Sequence, residues 1–180
     1  GSVQQPHNIQ QGRLAATGRA TYFSKYDIVR DDYRAVMASC ALPGFCRPVK
    51  VGDRYYYDGG VADSIPLHHA IEQGCTKMVV ILSNPRNFVK KPEAHRPLYK
   101  HMLHKYPKTI QSIDNRHINY QASIDLASRL EKEGYVFIFA PSRHMPLSTF
   151  SKDAALEQDL YDLGVADYEA RAEELKYFLN

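Results

Sequence analysis

Residues 38–82 read ASCALPGFCRPVKVGDRYYYDGGVADSIPLHHAIEQGCTKMVVIL, and the fold is decided here. The last part, Lys77–Leu82, is a near-continuous β-branched and aliphatic run of strand length, the pattern of a central strand covered on both faces. Before it, Pro66 opens and Gly74 closes a short helix over Ile65–Gly74. Val49–Val51 and Tyr55–Asp58 flank Gly52-Asp53 and read as a short hairpin. Further upstream, Asp31 or Asp32 caps a helix whose apolar positions are Tyr33, Val36, Met37, Cys40 and Ala41, and Pro43-Gly44 stops it. The order is therefore helix, sharp turn, hairpin, Asp58-Gly59-Gly60, helix, strand. Strands alternating with helices give an α/β class with a mixed sheet.

Working outward, Arg13–Ser24 reads as strand or hairpin with a turn at Thr17-Gly18. Residues 1–12 are a polar, loose lead-in, and Gly1-Ser2 has the look of a cloning remnant. Downstream, Pro92, Pro97 and Pro107 break a basic segment in which Leu98–Tyr106 is expected to be helical. A longer helix carries Ile110, Ile113, His117, Tyr120, Ile124 and Ala127 at alternating spacings of three and four, and Gly134 ends it. Tyr135–Ala140 is a second buried-type strand. Ser151 is expected to cap a last helical stretch, interrupted at Gly164. The strands at 13–23, 48–58, 77–82 and 135–140 are expected to share or border one sheet.

The 180 residues are 44% hydrophobic and 24% charged, which excludes disorder, collagen-like and low-complexity classes. A domain of this length buries roughly 70% of its unfolded surface, so the chain is one domain or one large piece of a domain. Met78–Leu82, the longest aliphatic run, is far too short to span a bilayer. Three cysteines without CxxC spacing point to a reducing, cytoplasmic setting, with neither a disulfide framework nor a zinc site. The net charge of +3 conceals an asymmetry. Residues 86–116 hold eight Lys or Arg against two acids, and residues 145–180 hold three against eight. Without aromatic and basic interleaving, a nucleic-acid partner is not expected.

The chemistry is concentrated at Asp58-Gly59-Gly60. Two glycines behind a strand-end carboxylate let the backbone turn tightly and aim the group into a cleft. The surrounding pattern resembles the patatin-like phospholipase family. The family has a helix ending Ala-Ser-x-Ala-x-Pro (Ala38, Ser39, Ala41, Pro43), then a Pro-Val hairpin (Pro48, Val49) and Tyr-x-Asp-Gly-Gly (Tyr56, Asp58, Gly59, Gly60). A Pro-opened helix (Pro66, Ala70, Gly74) and a hydrophobic strand follow. The resemblance is dense over about a quarter of the chain and looser over Arg13–Asp27. It implies a helix–sheet–helix sandwich and a lipid acyl hydrolase with a Ser–Asp dyad. Asp58 is then the base on a turn supported by Gly59 and Gly60, and no cofactor or metal is involved. The implied substrate is a lipid or other acyl ester.

The sequence departs from that family in one respect. No Gly-x-Ser-x-Gly and no glycine-rich oxyanion loop occur in residues 1–180. The expectation is that residues 1–180 are the C-terminal part of a single patatin-like domain, lacking the part with the nucleophile. The alternative is an inert fragment or a pseudoenzyme-like interaction module. Ser39, Cys40 and Ser64 lie near the motif but do not read as substitutes. Ser39 suits a small packed residue or a bond to a nearby carbonyl, Cys40 falls on the apolar helix face, and Ser64 reads as turn or cap. Asp53 and Asp63 are expected to be solvated. His68, His69, His101 and His104 lack the further ligands that a zinc site needs. Lys100, His101, His104, Lys105 and Lys108 accompany Leu98, Met102, Leu103 and Tyr106, so peripheral contact with anionic lipid is open, against a solvated helix packed by its apolar side. A sheet stripped of one flank is expected to self-associate or to retain a separate N-terminal fragment.

Overall fold

The computed structural model describes residues 10–15, 17–24, 30–146 and 153–180. They form two compact units, residues 1–65 with 90–121 and residues 66–89 with 122–180.

The first unit is built on a four-stranded antiparallel sheet of order β2-β1-β4-β3. Its strands are β1 (Gln10–Leu14), β2 (Ala20–Phe23), β3 (Val49–Val51) and β4 (Arg54–Asp58). The two hairpins turn where the sequence places them, with Gly18 and Gly52 both at positive φ. Residues 10–12 belong to β1 and not to a loose lead-in; residues 1–9 lie outside the described residues. β1 sits beside β4 in a register that sets Gly12 opposite Asp58.

Consecutive residues of β4 point to opposite faces. Tyr56 packs with Phe23, Ala35 and Ala38, while Tyr57 packs with Ala15, Val61, Leu103, Ile110 and Ile113. One face is therefore covered by α1 (Arg34–Ser39). The other is covered by α3 (Arg96–Met102) and the first part of α4 (Pro107–Lys132). Both tyrosines meet a partner ring edge-on, Phe23 at 5.1 Å and Tyr106 at 5.7 Å.

α1 does not use the apolar face expected of it. Its buried side chains are Ala35 and Ala38, whereas Tyr33, Met37 and Cys40 are exposed. The small residues let the helix backbone approach the sheet closely, and close approach outweighs the size of the alternative face. Asp32 accepts from the Arg34 amide at 3.1 Å, so the expected capping carboxylate is present although Tyr33 occupies the formal cap. α3 begins two residues before the expected Leu98, because Pro97 falls in its first turn, where a missing N–H costs nothing. Tyr99 donates to Asp114 at 2.6 Å and Arg96 grips the same carboxylate through two bonds of 2.8 Å, which clips α3 to α4. Burial and that bond push the Tyr99 hydroxyl up to about 12.

The second unit holds α2 (Leu67–Glu72), β5 (Met78–Ile81), β6 (Val136–Phe139), the last part of α4 and α5 (Ala154–Leu179). β5 and β6 pair in parallel, Met78 opposite Val136 through Ile81 opposite Phe139. Among the described residues the strands therefore fall into two hydrogen-bonded sheets, so the four expected segments do not all share one. Local hairpins generate the first sheet, and a long helical crossover generates the second. β5 is also not covered on both faces: Val79 is 42% and Ile81 80% exposed. α5 runs unbroken through Gly164, and Asp153 caps it by accepting from the amides of Ala155 and Leu156. Ser151, the expected cap, lies outside the described residues. Glu131 locks this unit by accepting two bonds from Arg86 and one from the Ile138 amide, and the Arg86 guanidinium holds its carboxyl below the usual range. Among the described residues, no helix is long and apolar enough to cross a membrane.

Candidate functional site

Asp58 closes β4 and starts a 3-10 turn of Gly59–Val61. Its amide donates to Ala41 O at 2.9 Å, which ties the strand end to the chain leaving α1. Its carboxylate turns back and accepts from the Gly60 amide at 2.8 Å. A Cβ on Gly60 would lie 3.2 Å from Asp58 Oδ1, a tight contact that the carboxylate would have to relieve by shifting a few tenths of an ångström. The turn is braced from outside. Ser64 Oγ donates to Gly60 O at 2.7 Å, and Arg116 Nε donates to the same oxygen at 3.2 Å.

Two opposing effects act on the Asp58 carboxyl. Burial pushes its pKa above the ordinary 3.8, while the Gly60 amide and the Arg116 charge pull it back. Arg116 is itself held by Glu93 at 3.0 Å, and Lys90 approaches Glu93 at 3.4 Å. The result is a carboxylate of fixed aim in a partly dry setting, with a cation in its vicinity. Such a group can take a proton from a hydroxyl brought within hydrogen-bond reach.

The other sequence candidates fall as follows. Ser39 Oγ donates to Val36 O at 2.8 Å, as expected of a helical serine satisfied by its own backbone. Ser64 is part of the turn. Cys40, Cys46 and Cys75 are free, exposed thiols, so Cys40 is not the buried side chain its helix position suggested. Asp53 is exposed in its hairpin turn. Asp63, expected to be solvated, instead accepts from the Tyr22 hydroxyl at 2.6 Å and joins β2 to the segment after the motif. His104 Nδ1 sits 2.9 Å from His101 O, and His68 is exposed; among the described residues no three metal-ligating side chains converge.

Arg116 is the residue that reading the sequence missed. It lies 58 positions after Asp58 (116 − 58), within a basic stretch where one more cation carries no signal. The available clue is its phase. It follows the buried Ile110 and Ile113 by steps of three on the inward face of α4.

Comparison with known proteins agrees with the motif. Residues 6–71 match the model of the patatin-like phospholipases, so the match lies in the N-terminal part of this chain and includes Asp58. Residues 106–180 match a different model, a domain of unknown function designated DUF6363. The uncharacterized protein YjjU of Escherichia coli (strain K12) is 30% identical over 135 residues, covering 72% of this chain. The match spans 37% of that relative's length.

Proposed function

We propose that this chain is the C-terminal portion of a patatin-like serine acyl hydrolase acting on lipid acyl esters, with Asp58 as the base of a Ser–Asp dyad. The nucleophile would come from outside these 180 residues, since no Gly-x-Ser-x-Gly occurs within them. One observation carries the reading. A partly buried carboxylate is fixed on a Gly-Gly turn at a strand end, within the segment matched to the patatin-like phospholipases.

In this mechanism Asp58 accepts the serine proton as the hydroxyl oxygen attacks the ester carbonyl. It returns that proton to the departing alcohol when the tetrahedral intermediate collapses to the acyl-enzyme. It then takes a proton from water, whose oxygen attacks the acyl-enzyme, and returns it to the serine as the acid leaves. Burial lifts the Asp58 pKa towards the working pH and strengthens it as a base. The Gly60 amide and the Arg116 charge limit that rise. Arg116 acts as a positioning residue through the Gly60 carbonyl.

The test compares the 180-residue chain with the natural gene product, extended upstream. Hydrolysis of a p-nitrophenyl ester is expected from the longer protein alone. Asp58→Asn should lower kcat by about 10²–10⁴-fold, while Asp53→Asn leaves it intact. Arg116→Gln should move the acidic limb of the kcat/KM profile upward, because the charge that lowers the Asp58 pKa is gone. A longer protein with no nucleophilic serine overturns the reading and leaves the interaction module, and full activity after Asp58→Asn overturns the assignment of Asp58 as the base.

A further inference from the structure

α3 presents two faces of different character. Tyr99 and Leu103 turn inward, Leu103 being 2% exposed, and they belong to the core beneath β4. Leu98 and Met102, four residues apart and so on one side of the helix, are 59% and 50% exposed. The sequence expectation of a helix packed by its apolar side is thus half met, since one apolar pair packs and the other faces out. Phe45, from the loop after α1, joins them at 74% exposure. All three border a single apolar cleft of about 420 Å³, whose other walls include Val61, Ile113 and Arg116.

The segment that carries α3 is mainly basic. Between residues 90 and 116 there are seven Lys or Arg and two acids. Both acids are already engaged, Glu93 by Lys90 and Arg116, and Asp114 by Arg96. His101, His104 and Lys105 are exposed close to this pair in sequence, and so is Lys100, which lies two residues from both Leu98 and Met102 and therefore on another side of the helix. Protruding apolar side chains in a basic segment suit a surface that is negatively charged outside and apolar a few ångströms beneath. A nucleic acid or an acidic peptide would use the cations and leave Phe45, Leu98 and Met102 without a role.

We propose that this face of the first unit docks on an anionic lipid bilayer. Phe45, Leu98 and Met102 enter the headgroup boundary, Lys105 lies against the phosphates, and Lys100 reaches them with its long side chain from the neighbouring side of the helix. A seven-residue helix is too short to anchor alone. The clip of Arg96 and Tyr99 onto Asp114 supplies the rigidity, since it fixes which side of α3 faces out. The cleft then opens towards the membrane between the inserted side chains. The docking stands whether or not Asp58 is a catalytic base, because it is scored by binding and not by turnover.

The test is co-sedimentation of the 180-residue protein with phosphatidylcholine vesicles, alone and with roughly a third phosphatidylglycerol. Binding is expected only to the anionic vesicles and is expected to weaken as salt rises. Lys100→Gln with Lys105→Gln should reduce partitioning about thirtyfold, roughly fivefold for each cation removed. Leu98→Ser with Met102→Ser should reduce it by about tenfold or more at constant charge. Arg129→Gln with Lys132→Gln removes the same charge from the far end of α4 and should leave partitioning unchanged. These side chains are exposed, so matching thermal melts identify variants that keep the fold. Equal binding to uncharged vesicles overturns the proposal. So does an equal loss in the Arg129 and Lys132 control. Binding to duplex DNA as tight as to vesicles, untouched by the Leu98 and Met102 changes, makes the face a polyanion site and overturns it as well.

Discussion

β4 and β5 both carry large side chains on consecutive residues, yet they are buried in different ways. In β4 the neighbours Tyr56 and Tyr57 are 5% and 4% exposed, because the first unit covers both sheet faces with helices. In β5 only alternate residues are buried: Val80 is 8% exposed, while Val79 and Ile81 border an apolar cleft of about 310 Å³ with Leu160, Leu163 and Tyr168 of α5. β4 is also hydrogen-bonded on both edges, by β1 and β3, whereas β5 has β6 alone among the described residues. By composition the aliphatic β5 looks the more deeply buried of the two. Burial depends on how many layers the surrounding chain supplies, and the tyrosine-rich strand has two.

Three substitutions sharpen the contrast. The largest effect is expected from Tyr57→Ala, which removes a ring packed on Val61, Leu103 and Ile113. It should destabilise by about 3–5 kcal/mol in urea unfolding. A loss below about 1 kcal/mol would mean that the β4 face is not the core it resembles. Next is Asp58→Asn, read as stability instead of activity. Burial raises the Asp58 pKa, so the fold favours the neutral acid; that contribution is complete below 3.8 and is lost as pH rises through the folded value. Asp58→Asn should therefore melt at or above the parent at neutral pH, and the two should converge in acid below 3.8. A lower melting temperature for Asp58→Asn at neutral pH would show that the carboxylate's bond to Gly60 outweighs its desolvation. The smallest effect belongs to Ile81→Thr. At 80% exposure it should change stability by no more than about 0.5 kcal/mol, and a larger loss would show β5 to be covered after all.

Much of the Asp58 turn was legible in the sequence, because its parts are contiguous. The strand, the two glycines and the helix-opening proline all lie within the thirteen residues Arg54–Pro66. The hairpins at Gly18 and Gly52 were legible for the same reason. What could not be read locally depended on partners far along the chain. The use of Ala35 and Ala38 as the packing face of α1 is set by how near the sheet lies, a quantity absent from the hydrophobic pattern. Arg116 joins Asp58 only once α4 is laid against the 3-10 turn. The continuity of α5 through Gly164 shows the reverse error, a local helix-breaking tendency of about 1 kcal/mol overridden by the remaining turns of a 26-residue helix.

The three exposed thiols give the chain a set of chemical addresses. Cys46 adjoins Phe45, Cys40 lies on the outer side of the short alanine-packed helix, and Cys75 stands in the second unit just ahead of β5. A polarity-sensitive dye on Cys46, with Cys40 and Cys75 replaced by Ser, would sit one residue from the foremost aromatic ring. The same dye on Cys75 would ride in the other unit as its internal reference. The two emission colours together would distinguish insertion of one face from general adhesion. The same accessibility sets a handling condition, since air oxidation can couple two chains through any of the three and imitate self-association.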